Sequence, residues 1–119
     1  MPDHRPNIVL VHSHDLGRQL GCYGCDISTP HIDALAAEGR RFDGFTCTAP
    51  QCSPSRGSMM TGQYPHNHGL MGLGHRGWGL YEDVPRLPAL LAEAGYSTHL
   101  FGLQHVADEP EDLGYQTAD

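Results

Sequence analysis

The stretch "APQCSPSRGSMMTG", residues 49–62, concentrates chemistry-bearing side chains in a short space. Cys52 stands with one residue between it and Pro54, and Ser55 and Arg56 follow directly. A cysteine there is either a small buried residue or the seat of a reaction. Pro54 and Ser55 suit the start of a helix, whose unbonded amides and dipole favour an anion at its mouth, and Arg56 adds a fixed cationic fork. Such a mouth suits a nucleophile that attacks an anionic ester. One further candidate stands at the end of an apolar run: Asp15 follows "NIVLVHSH", and open α/β sheets place their ligands at the carboxyl ends of strands.

The composition narrows the classes of partner. The formal charge is −7, and all 7 basic residues are arginines. A nucleic-acid partner is not expected, because no basic stripe is visible. No apolar stretch reaches the ~18 residues that a membrane span needs, so no membrane partner is expected. The run at the amino end is too short for the core of a signal peptide, which gives an expectation of a cytoplasmic location and reduced thiols at Cys22, Cys25, Cys47 and Cys52. Cys22 and Cys25 form a C-x-x-C pair, but no second pair follows to complete a zinc or redox motif.

The elements that must position these residues can be read from periodicity. Residues 7–12 read as a buried parallel strand. "STPHIDALAAEGRRF" reads as a helix with Thr29 as N-cap, Pro30 in the first turn, Ile32, Leu35 and Ala36 on one face, and Gly39 as the stop. "RFDGFTCTA" could return as a strand. A second helix runs from Pro54 to about Thr61, with its amino end at Ser53 and Gly62 as its stop. Residues 63–82 read as a long, glycine-rich functional loop, in which His66, His68 and His75 either line a substrate mouth or are solvated. "VPRLPALLAEAG" is a third helix with Leu87, Leu90, Leu91 and Ala94 on one stripe, and "YSTHLFG" a second buried strand. His12 and His99, inside predicted strands, read as core residues. The order predicts an α/β layered fold with a mostly parallel sheet. The tail "GYQTAD" offers no obvious closing element, as expected of the first part of something larger.

Cys52-Ser53-Pro54-Ser55-Arg56 matches the C-x-P-S-R signature of the type I, formylglycine-dependent sulfatases. "RPNIVLV", "LGCYG", "TPHIDALAAEGRRF", "CSPSRGSMMTGQYPHNHG" and "LPALLAEAGYSTHLFG" resemble, in order, the amino-terminal stretch of that family. The loop "HGLMGLGHRGW" looks most like the sulfamidase branch, the heparan N-sulfatases. The resemblance implies the amino-terminal part of an alkaline-phosphatase-like α/β/α sandwich, with residues 1–119 as a partial catalytic domain. It implies that Cys52 becomes formylglycine, made by a formylglycine-generating enzyme, whose hydrated form attacks sulfur with the help of a divalent metal, calcium in most of the family. Catalytic roles would fall to Cys52, Arg56 and His105, and metal ligation to Asp15, His14 and Cys52.

Two positions depart from the pattern: His14 stands where most of the family carries a second aspartate, and Leu103 replaces a sulfate-binding lysine. The implied substrate is a sulfated sugar-like small molecule or glycan. Two alternatives stand beside this reading: a phosphonate monoester or phosphodiester hydrolase of the same superfamily, and a truncated segment without turnover of its own.

Overall fold

Pro30 at the start of "PHIDALAAE" opens a helix because its missing amide is one that the first turn leaves unbonded anyway. The computed structural model describes residues 5–119, and the chain divides into two units, Met1–Phe45 and Thr46–Asp119. In the first, helix α1 spans Pro30–Glu38, and Gly39 closes it with its amide on the Leu35 carbonyl. Thr29 does not cap α1 through its side chain as expected. Its hydroxyl donates instead to Asp33 Oδ1 at 2.8 Å and accepts the Gly21 amide at 2.9 Å. Asp33 Oδ1 also accepts the Cys22 amide at 2.7 Å. Thr29 and Asp33 therefore bind a 3₁₀ turn, Gly21–Tyr23, to the helix. A Cβ on Gly21 would lie 2.5 Å from Asp33 Oδ2, so the "LGCYG" block is a packing device.

Beside that turn, the Arg18 and Arg41 guanidiniums lie 4.6 and 5.5 Å from the Tyr23 ring centroid. Arg41 pairs with Asp43 at 2.8 Å, and this contact raises the guanidinium's pKa.

The strand expected at residues 7–12 is not formed: the segment has no ladder partner among the described residues, and Val9 and Val11 are 82% and 90% exposed. The α1 face at Ile32 and Leu35 is also exposed. Both patterns have one cause. A buried parallel strand needs neighbours at its edges and helices over its faces, and the described residues supply none of these to the run. The return strand expected in "RFDGFTCTA" is likewise turn and coil.

In the second unit, helix α2 spans Cys52–Thr61, two residues longer at its start than expected. The Ser55 amide reaches the Gln51 carbonyl at 3.2 Å, so Pro54 falls where no helical amide bond is due. Gly62 ends α2 with φ +69, donating to the Ser58 carbonyl. The expected long loop then holds a short helix α3, Pro65–His68, and a 3₁₀ turn, Gly74–Arg76. α3 packs on α2 through Gly57, where a Cβ would sit 2.9 Å from His68 Cε1 and 3.1 Å from Leu70 Cδ2.

Helix α4, Leu87–Glu93, turns a different face inward from the one its leucines suggest: Pro88 is buried while Leu87 and Leu90 are exposed. Gly114, at φ +91, comes so close to Ala89 that a Cβ would lie 2.6 Å from it, so this small residue marks the packed side. Strands β1, His99–Leu100, and β2, Thr117–Ala118, pair in parallel, which gives the tail the partner that was not visible in its sequence. The expected strand "YSTHLFG" is regular only over those two residues. Thr98 locks the pair together: its amide donates to Gln116 Oε1 and its hydroxyl to the Gly114 carbonyl, each at 3.1 Å. The core of this unit is Met60, Leu70, Val106 and Leu113, with Met59, Leu80 and Tyr115 around it. Burial raises the Tyr115 pKa.

Candidate active site

Cys52 is the first residue of α2, half-buried and reduced, and it lines a cavity of about 850 Å³. His105 lines the same cavity, with a ring nitrogen within 4.8 Å of Cys52 Sγ. The backbone of His105 is left-handed, φ +59, and the only other described non-glycine residue with positive φ is Asp15, at φ +56. Such conformations cost of order 1–3 kcal/mol and collect at functional positions. Gln104 holds His105 in place: its buried side chain accepts the Ala107 amide at 2.9 Å and the Val106 amide, and donates to the Ala107 carbonyl. Sequence reading passed over Gln104. Its signal was a lone amide residue directly before the candidate histidine.

Arg56 lies one helical turn beyond Cys52, on the same face. It is buried, 9% exposed, and its guanidinium donates to the Leu103 carbonyl at 2.9 Å. Arg56 therefore braces the segment that carries His105, and it is not among the residues lining the cavity. The Leu103 side chain is 75% exposed and stands on the cavity wall, where it offers no charge to an anion.

Ser53, which occupies the variable position of the signature, is buried, and its hydroxyl accepts the Gly74 amide at 3.2 Å. That bond ties the glycine-rich loop to the start of α2. The three loop histidines separate into different roles. His75 lines the cavity, and His66 stacks on Tyr64 with centroids 5.9 Å apart. His68 is fully buried. Its Nδ1 accepts the Leu70 amide at 3.2 Å, so in the neutral ring Nε2 bears the proton and donates to Ser58 Oγ at 3.1 Å. Burial lowers the His68 pKa, with a smaller opposing effect from the Pro54 carbonyl. His12 and His99, expected in the core, are both exposed. His99 bonds to Asp119 at 3.2 Å and packs on Phe101.

In the first unit, His14 Nδ1 lies 2.9 Å from Asp15 Oδ2. If Nδ1 carries the shared proton, Nε2 keeps its lone pair, and the histidine fixes the orientation of the carboxylate. Cys22 and Cys25 form no disulfide. Cys25 Sγ lies 3.3 Å from the Arg18 carbonyl.

The sequence model of the family described as Sulfatase matches residues 6–117. The chain belongs to the sulfatase family. Human steryl-sulfatase is 40% identical over 112 residues, which cover 86% of this chain and 19% of that protein. Human N-sulphoglucosamine sulphohydrolase is 37% identical over 116 residues, covering 92% of this chain and 23% of that protein. A solved structure titled "Crystal structure of Ps i-CgsB" superposes with a TM-score of 0.75 at 36% identity, over 83% of this chain and 24% of that one. This sulfatase chain thus spans about a fifth of the length of the curated relatives it matches. Its α/β fold is the amino-terminal part of an alkaline-phosphatase-like architecture, and its small parallel sheet is consistent with that.

Proposed function

We propose that this segment supplies the nucleophile and part of the anion site for hydrolysis of a sulfate ester or sulfamate, with Cys52 as the precursor of formylglycine. The observation that carries the reading is the placement of Cys52. It opens a ten-residue helix, faces the cavity beside a left-handed His105, and has buried Arg56 one turn behind it.

The residues supply part of what this chemistry requires. Cys52 is a free thiol open to the cavity, and the exposed carboxylate of Asp15 is one hard oxygen donor of the several that calcium takes. When present, a hydrated aldehyde at position 52 would supply a hydroxyl nucleophile, and a divalent cation the positive charge, that cleavage of a sulfate ester or sulfamate needs. His105 offers a ring nitrogen to a substrate oxygen or to the group at position 52. Arg56 keeps the His105 segment in register through Leu103, and His14 orients Asp15.

A phosphonate monoester or phosphodiester hydrolase is the second reading. It draws on His14 and on the uncharged Leu103 at the cavity wall. Comparing turnover of nitrophenyl sulfate with that of phenylphosphonate esters separates the two.

The central claim is tested by the mass of the tryptic peptide Phe42–Arg56, made beside a formylglycine-generating enzyme. After alkylation, Cys47 should carry the label, and position 52 should have lost its sulfur. A labelled thiol at both positions would sink the proposal.

A further inference from the structure

Cys52 has a neighbour that hydrolysis does not use. Cys47 begins the stretch "CTAPQC" that Cys52 ends, and these are the two cysteines of the second unit. Both thiols are free; Cys47 is exposed and Cys52 is half-buried.

The chain holds the two differently. Cys52 opens α2, and Ser53 and Pro54 behind it are buried, so its position is fixed by the helix. The segment before it has no such support. The chain bends at each of residues 48–51, and among the described residues no amide of residues 47–51 donates a backbone hydrogen bond. A chain that bends at four successive residues is curled rather than extended, and one without helical or ladder bonds can tighten further without breaking any. A disulfide needs Cα atoms about 4.4–6.8 Å apart. A loop of about ten residues closes in ~10–100 ns, far faster than thiols exchange. Cys47 is thus the mobile member of a pair whose other member stands still.

We propose that Cys47 and Cys52 form a reversible disulfide, with a small-molecule disulfide such as oxidised glutathione as the electron acceptor, and that the bridge withholds Cys52 from conversion to formylglycine. The Cys47 thiolate attacks the S–S bond of oxidised glutathione and expels one glutathione thiolate. The Cys52 thiolate then attacks Cys47 Sγ and expels the second. One S–S bond breaks and one forms. Two electrons pass from the cysteines to glutathione, and the two protons released by the protein thiols are taken up by the two glutathione thiolates. In the bridged form Cys52 offers no free thiol for the aldehyde to be made from. That last consequence rests on the formylglycine reading above; the bridge itself does not.

The tryptic peptide Phe42–Arg56 holds both cysteines, whereas Cys22 and Cys25 fall in Gln19–Arg40, so mass spectrometry reads the pair directly. The full chain is equilibrated with reduced glutathione in about tenfold excess over the oxidised form, quenched in acid, alkylated and digested without reductant. A single thiol stays mostly free in such a buffer, whereas a pair joined by a short linker, at mM effective concentration or above, closes. The peptide Phe42–Arg56 should be two hydrogens lighter than the dithiol and take no label, and dithiothreitol should restore both labels. In Cys47→Ser protein, Cys52 should stay mostly labelled. In the same buffer, a formylglycine-generating enzyme should convert the parent protein about tenfold more slowly than Cys47→Ser protein, and dithiothreitol should make the two rates equal.

Two labels on the parent peptide, a bridge joining it to Gln19–Arg40, or equal and measurable conversion of the two proteins in the glutathione buffer would each overturn the proposal. A Cys52 that stays unconverted after dithiothreitol, in protein that had lost two hydrogens in the buffer, would instead reject the formylglycine reading and leave the disulfide standing.

Discussion

Replacing Gly57 by alanine sets two physical effects of opposite sign against each other. In the interior of α2, helix propensity alone favours alanine by about 1 kcal/mol. The packing opposes it. The new Cβ would lie 2.9 Å from His68 Cε1, 3.1 Å from Leu70 Cδ2 and 3.3 Å from His68 Nε2. Neither neighbour can swing away: the imidazole is held at both nitrogens, by Ser58 and by the Leu70 amide, and His68 and Leu70 are both fully buried. Overpacking at such a site costs about 1–3 kcal/mol. Moving the ring off Ser58 adds about 1 kcal/mol for the lost hydrogen bond.

The balance is a net loss of about 1–3 kcal/mol, equal to a fall of several degrees in Tm for a domain of this size. Urea unfolding followed by circular dichroism measures it. In a His68→Ala background, most of the clash is gone, and Gly57→Ala should become neutral or stabilising, a coupling between contacting residues that a double-mutant cycle isolates. An unfolding midpoint in Gly57→Ala at or above that of the parent protein would refute the packing argument, since propensity alone would then decide.

The other predictions concern pH, the first unit and the site. The folded-state pKa of His68 lies below the ordinary histidine value of 6.5 because burial disfavours the charged ring. Its contribution to stability is therefore complete above pH ~6.5 and lost as pH falls through the folded value; the urea midpoint should drop between pH 7.5 and 5, and His68→Gln should flatten that slope. Asp33→Ala removes the acceptor of the Cys22 amide and of the Thr29 hydroxyl, and should speed amide exchange at residues 21–25 while leaving α2 protected. Arg56→Lys keeps the charge but gives up the planar fork that meets the Leu103 carbonyl at 2.9 Å. A charged hydrogen bond of about 1.5–3 kcal/mol is at stake, so kcat/KM for nitrophenyl sulfate should fall at least tenfold; an unchanged value would remove Arg56 from the site.

Local signals in the sequence led to the right helices and missed the right faces. Pro30 and Gly39 mark the ends of α1, and Gly62 marks the end of α2, because each acts through its own backbone. The inward face of α4 could not be read from its leucines. Gly114, remote in sequence, selects Ala89 as the close contact and leaves Leu90 outside. The apolar run at residues 7–12 reads as a strand for sound reasons, yet a ladder is a property of two segments, and no partner pairs with it among the described residues. The tail failed in the opposite direction: "QTAD" has no strand signature, and it pairs because Thr98 and Gln116 exchange hydrogen bonds across the two segments.

At the candidate site, the sequence singled out residues but gave little of how they are held. Cys52 stood out by its place before a proline-started helix, Asp15 by ending an apolar run, and His105 through the family resemblance alone. The left-handed backbones of Asp15 and His105 were only faintly legible: aspartate and histidine are enriched at positive φ, but most residues of either type lie elsewhere. That strain needs support, and the support comes from residues with no motif of their own: Gln104 closes the turn after His105, Arg56 ties Leu103 to α2, and Ser53 ties Gly74 to the same helix. Leu103, where the family resemblance leads one to expect a lysine, takes on a different meaning in this setting. The side chain offers no charge, but the backbone carbonyl at that position accepts the buried guanidinium. The brace runs through the backbone, so the positioning of His105 does not depend on which side chain stands at position 103.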